Sequence, residues 1–272
     1  MTLVTLGKRL LVSLFLFLGL LLVLGSNTLH AANYQTKATQ TVSILGEANV
    51  GGDKAYVEVL VEVPYGENAR AVAEATLKRV YPDVRPLSSD YTLVGLVWDQ
   101  FLDNIVGNGQ VVVNYNNSKS PVTSARDRLL SAMSTWTSVE SSNFAFSYGN
   151  DTTRCPTLVR ECKGPQYFDG NNDVGWVNIA ERGVLGVTWF STTRDEFDMA
   201  IDNRDFKWYG GTGLSLAGQI DLETVYLHEL GHGAGLGHSS IEGAVMEPYY
   251  DGVRRALHQD DINGISSLYP QN

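Results

Sequence analysis

The sequence predicts an α+β fold, an α/β sandwich of strands and helices. Short β-branched runs dominate the first two thirds of the chain, whereas the most distinctive helical segment comes late, an order that places helices against one sheet and a cleft at the sheet's edge. Apolar residues switch repeatedly between a period of two and a period near 3.6, so strands and helices both recur. With 272 residues, 43 % hydrophobic and 10 % aromatic, the chain can bury a substantial core.

Three segments follow from the pattern. Residues 1–31 read as a secretion signal: Lys8 and Arg9, an apolar run from Leu10 to Leu24, and a small-residue exit at Ala31. The competing reading is an uncleaved membrane anchor, for which the run is short, since a spanning helix needs about 20 apolar residues. Residues 32–94 form a leader and a small β-α-β unit. The leader, to about residue 52, shows no sustained period and reads as flexible. Val57, Val59, Val61 and Val63 then alternate with Glu58 and Glu62, as in a half-buried strand. Pro64-Tyr65-Gly66 makes a turn, Ala69 to Val80 carries helical spacing up to Pro82, and Tyr91 to Val97 reads as the second strand.

Residues 95–272 form the main domain. Strands are expected at Val111–Tyr115, around Phe144 and Phe146, and at Gly175–Ile179, Val184–Phe190 and Phe197–Ile201. Ser124 to Asp127 reads as a capping box opening a helix whose apolar face is Ala125, Leu129, Ala132, Met133 and Trp136. Cys155 and Cys162 are the only cysteines; in an exported chain so close a pair reads as a disulfide, with two free thiols as the alternative. The formal net charge of −10 argues against nucleic acid or an anionic membrane as a partner. The only membrane contact expected is through the signal segment, and the mature chain reads as a monomer outside the cell.

The chemistry concentrates at His228-Glu229-Leu230-Gly231-His232, which leads through Gly235 to His238. Histidines four apart on a helix lie on one face, one turn apart, as two ligands of one metal ion require. Glu229 reaches the space beside the metal without binding it, where a general base belongs. Gly235 lets the chain leave the helix with positive φ so that His238 returns as a third ligand. Three imidazoles with one open position describe a catalytic zinc site rather than a structural one.

The pattern H-E-x-x-H-x-x-G-x-x-H followed by a methionine turn is the metzincin signature. The chain resembles the matrixin branch of that group, which includes the matrix metalloproteinases. Ser239 after the third histidine, the turn Met246-Glu247-Pro248-Tyr249-Tyr250 and the closing segment Asp260 to Tyr269 carry the likeness. The resemblance implies zinc held by His228, His232 and His238, Glu229 as general base, and Met246 as a hydrophobic floor. It implies a twisted mixed sheet with long helices, and a secreted microbial endopeptidase acting on protein or peptide. Substrate would pair in extended form with the edge Val184-Leu185-Gly186-Val187-Thr188, with Pro248, Tyr249 and Tyr250 walling the pocket after the scissile bond.

Animal members block their zinc with a cysteine in a Pro-Arg-Cys-Gly context, and no cysteine precedes Trp98. If residues 32–94 are an inhibitory propeptide, a carboxylate must serve instead, with Asp83, Asp90 and Asp99 as candidates. The other reading is that this unit simply completes the fold. Calcium is a second candidate ion, at Asp169 to Asp173 with Asp195, Glu196, Asp198 and Asp202, against ordinary polar turns. The functional alternative is a secreted, non-catalytic binding module on the same scaffold. Glu229 separates the two, because a binder has no use for a general base.

Overall fold

The computed structural model describes residues 39–87, 98, 109–156, 158–163, 167–250 and 252–271. The expected secretion signal and the strand expected at Tyr91 to Val97 lie outside the described residues, in which no helix is long and apolar enough to cross a membrane.

One mixed sheet runs through the molecule, as an α+β fold requires. Its strands, in chain order, are β1 (Thr39–Val50), β2 (Asp53–Pro64), β3 (Arg85–Pro86), β4 (Val111–Asn116), β5 (Phe146–Asp151), β6 (Asn172–Val177), β7 (Val184–Ser191), β8 (Phe197–Asp202) and, after a small separate pair β9 (Trp208–Tyr209) and β10 (Ile220–Asp221), β11 (Tyr249–Tyr250). The spatial order is β11-β1-β2-β7-β8-β6-β4-β5, with β3 beside β1. Pairing is antiparallel from β11 to β8 and parallel from β8 through β6 and β4 to β5.

Four helices accompany it among the described residues: α1 (Ala69–Val80), α2 (Ala125–Thr137), α3 (Leu222–Gly233) and α4 (Gln259–Leu268). Strand alternation sends successive side chains to opposite faces, and the sheet thereby divides two cores. On one face Val113, Trp176, Phe190 and Ile201 pack with α2 and α3; on the other Val57, Val59, Val187 and Trp189 pack with Leu77 of α1 and Leu158. The apolar face expected for α2 is buried in full. All twelve residues of α3 are buried, since α2 covers one side and β7 and β8 the other.

Several expectations change. Residues 39–50 form a full strand, not a flexible leader: Val42, Ile44 and Leu45 are buried, but Thr41 and Ser43 are buried beside them and mask the alternation. Strand β6 starts three residues before the expected Gly175, because Asn172 donates to Val112 O, accepts from Phe197 N and is thereby satisfied inside the sheet. Ser124 precedes α2 but does not cap it; its hydroxyl donates to Gly210 O instead.

Cys155 and Cys162 are bonded, with Cα atoms 5.5 Å apart. Closing so short a loop stabilises the native state by about 2–3 kcal/mol. Alkylation of the denatured, unreduced protein should label no cysteine, and labelling of both in mass spectra would contradict the pairing.

Candidate active site

Helix α3 carries the first two histidines, and both of its ends are fixed. Asp221 caps its N-terminus, accepting from Thr224 N at 2.9 Å, and is itself held by Arg255. At the other end Trp98 Nε1 donates to Gly233 O at 2.8 Å and Tyr269 Oη to Ala234 O at 2.8 Å. Gly235 follows with φ +97°, the left-handed turn that releases the chain toward His238.

The three imidazoles meet in a buried cluster, with ring centroids 5.0, 5.1 and 5.6 Å apart. His228 Nδ1 lies 2.6 Å from Val245 O, and His232 Nδ1 lies 2.7 Å from Leu236 O. A carbonyl oxygen can only accept, so each Nδ1 carries the proton and each neutral ring turns an Nε2 lone pair inward. Phe190 stacks on His232 at 5.8 Å with the rings nearly parallel.

The methionine turn lies beneath. A Cβ on Gly231 would fall 2.2 Å from Met246 Sδ, so only glycine lets Met246 approach the helix between the two ligands. The turn is anchored by Asp261, a residue that sequence reasoning missed: its buried carboxylate accepts from Val245 N at 2.9 Å, Met246 N at 3.1 Å and His258 N at 2.8 Å. Its neighbour Asp260 accepts from Ser239 Oγ. His258 is exposed and caps α4, its Nδ1 accepting from Asp260 N.

The fourth member of the cluster comes from β2. Glu58 is fully buried, and its carboxylate lies 3.0 Å from His228 Nε2, 2.9 Å from His232 Nε2 and 3.3 Å from His238 Nε2. Sequence reasoning placed Glu58 on the polar face of a half-buried strand and named Asp83, Asp90 and Asp99 as carboxylates for this role. Asp83 is exposed in the turn after α1, while Asp90 and Asp99 lie outside the described residues. The overlooked signal is that Tyr56 and Leu60 share the face of Glu58 and are both buried.

These residues fit a metal ion. The donor atoms of Glu58, His228, His232 and His238 lie within 4.8 Å of one another, and this is the one such group of acidic, histidine or cysteine side chains among the described residues. His232 Nε2 and Glu58 Oε2 face each other with no hydrogen bond to either. An inward lone pair opposite a carboxylate oxygen is repulsive unless a cation lies between them. Without an ion, burial works against charge throughout: it holds His238 down at about 4, while His232 and His228 overcome it to keep the Glu58 carboxyl well below the usual range. Burial, and then the charge of Glu58, push Glu229 well above that range. Glu229 is not a ligand in this arrangement; Thr188 Oγ1 donates to its Oε2, and its Oε1 has no hydrogen-bond partner.

The edge expected to bind substrate is paired with the chain itself. β2 runs antiparallel to β7 from Ala55↔Ser191 through Glu58↔Thr188 to Leu60↔Gly186 and Val61↔Val184, with a bulge at Leu185. On the opposite rim β1 pairs with β11, Val42 opposite Tyr249 and Thr41 opposite Tyr250, and Ser43 N donates to Pro248 O at 2.8 Å.

The acidic residues considered for calcium act as turn and strand supports. Asp173 takes two bonds from Arg154 at 2.6 and 2.8 Å, Asp198 accepts from Asp173 N, and Asp202 accepts from three backbone amides. Glu196 accepts from Asp169 N and Gly170 N, and burial raises its pKa to about 7.

The family model described as matrixin, peptidase M10, matches residues 110–270, more than half of the chain. The chain belongs to the matrixin family. It is 27 % identical over 206 residues to karilysin of Tannerella forsythia, covering 73 % of this chain and 39 % of that protein. It is 33 % identical over 149 residues to metalloendoproteinase 1 of Glycine max, covering 52 % of this chain and 44 % of the other. Metalloendoproteinase 5-MMP of Arabidopsis thaliana is 53 % identical over 55 residues, 20 % of this chain and 15 % of its own length. The chain therefore spans less than half the length of each of these relatives. The metzincin fold read from the motif helix is the fold observed.

Truncating Asp261 tests the support under the site. Asp261→Ala leaves three backbone donors without their carboxylate and should cost about 2–4 kcal/mol, read as a lower midpoint in urea unfolding. An unchanged midpoint would mean that the methionine turn is held by packing alone.

Proposed function

We propose that this matrixin is a zinc-dependent endopeptidase, exported from the cell that makes it, and that it acts on protein or peptide as a monomer. The observation that carries the reading is the convergence of three imidazole Nε2 atoms on one buried point, together with a second buried carboxylate, Glu229, one oxygen of which has no hydrogen bond. Neither feature serves a binding module, and leaving a carboxylate oxygen buried and unsatisfied is destabilising in itself.

His228, His232 and His238 would hold a zinc ion, which would supply Lewis acidity toward a peptide carbonyl and water. The chain supplies the rest. Glu229 takes the proton of the attacking water at Oε1 and returns it to the leaving amine, while Thr188 keeps its Oε2 in place. The Nδ1 bonds to Val245 and Leu236 hold two of the rings in the donating tautomer, and Met246 closes the floor. The main chain of Val184 to Thr188 takes an extended peptide by strand pairing, and Pro248 to Tyr250 wall the opposite side. That both rims already pair with strands of this chain supports their use as peptide-binding edges. The apolar run at residues 10–24 supports export.

Metal analysis of the purified protein should find one zinc per chain, and chelation should abolish peptide cleavage. Glu229→Ala should keep the zinc and the fold yet lower turnover about 10²–10⁴-fold. Because Glu58 stands where the reactants meet, the comparison belongs in the native chain and in a Glu58→Ala background. Equal turnover with and without Glu229 in zinc-loaded protein would end this assignment.

A further inference from the structure

The wall segment Pro248 to Tyr250 is held from behind as well as from the cleft. Strand β11 stands at the end of the sheet's spatial order, so only one of its edges has a strand partner among the described residues. Consecutive carbonyls of an extended segment point to opposite edges. Pro248 O accepts from Ser43 N of β1 at 2.8 Å, whereas Tyr249 O accepts from Arg254 Nη2 at 3.2 Å. The guanidinium thus stands where the donors of a further strand would be.

Arg254 grips more than this carbonyl. Its Nη1 donates to Ala244 O in the methionine turn at 2.9 Å, and its Nη2 lies 2.7 Å from Glu247 Oε2, which also accepts from Gly243 N at 2.9 Å. The two charged side chains are only 18 % and 17 % exposed, so solvent screens their attraction in part. The backbone of Arg254 is fixed too: its N donates at 2.8 Å to Oγ1 of Thr224, one helical turn before His228 on α3. Arg255 binds the same helix at its cap, Asp221, and also the carbonyls of Gly211 and Thr212. None of these contacts touches a histidine of the cluster or Glu229.

We infer that Arg254 is a positioning residue for specificity. With Glu247 it fixes the pocket wall relative to the helix that carries His228 and His232, and so selects the size of the side chain that follows the scissile bond. The inference rests on the peptidase reading of the site. A planar guanidinium can bridge two carbonyls and a carboxylate in one fixed geometry, which the point charge of a lysine cannot. A wall held in one place gives the pocket one width, and such a pocket discriminates by volume. A wall that can shift accepts several side chains and fits none of them closely.

The experiment uses the zinc-loaded full chain, wild type and with Arg254→Met or Glu247→Gln, each also in the Glu58→Ala background. Two peptides are compared that differ only in leucine or alanine after the scissile bond. Their kcat/KM values should differ at least about tenfold in wild type and by no more than about threefold in Arg254→Met, chiefly through KM, with Glu247→Gln between the two. A residue that merely supported the fold would lower both values alike and leave their ratio unchanged. Amide exchange adds a readout without turnover: Arg254→Met should speed exchange in residues 243–250 and leave residues 225–233 of α3 as protected as in wild type.

A wild-type ratio in both folded, zinc-loaded variants would overturn the inference. So would a ratio near one in wild type, or unfolding of both variants, because a wall clamp must be dispensable to the rest of the fold. If no zinc-loaded form cleaves either peptide, the peptidase reading falls, and with it the selection of a side chain. Exchange then decides the clamp by itself, and equal exchange in wild type and Arg254→Met would remove that as well.

Discussion

The site depends on where two protons sit. Val245 O and Leu236 O each accept from an imidazole Nδ1, and that choice forces the lone pairs of His228 and His232 onto one buried point. Both carbonyls belong to backbone just beyond the helix, in the methionine turn and in the segment after Gly235. The turn must therefore lie close under α3, which Gly231 permits, and must be held there, which Asp261 does with both carboxylate oxygens. Sheet, helix and closing segment thus serve one electrostatic arrangement: a water-poor pocket whose donors all point inward and which only a cation satisfies.

A second constraint is the exposed strand edge. An edge that offers unpaired amides and carbonyls will pair with whatever extended chain arrives, which is useful for holding a peptide of any sequence and hazardous at other times. In this molecule the hazard and the chemistry share one location, because β7 contributes both the edge and Thr188, whose hydroxyl holds Glu229. A hairpin suits such a cleft better than a single strand, since it presents two edges and so can satisfy both β7 and β11.

Most of the site was legible because its determinants are local. The spacing of His228 and His232, the exit at Gly235, and the return at His238 are read within eleven residues, and helix geometry alone converts them into a constellation. The apolar face of α2 and the continuous apolar runs of β7 and β8 were legible for the same reason. Glu58 was not. Strand alternation classes a glutamate between valines as solvent-facing, and only Tyr56 and Leu60, apolar neighbours on the same face, hint that the face opposite the valines also lies against protein. Its partners are 170 to 180 residues away. Ser43, Thr41 and Asn172 misled in the same direction, being polar residues that the sheet buries. Asp261 was visible only as part of a family likeness, because its three amide partners come from two separate loops.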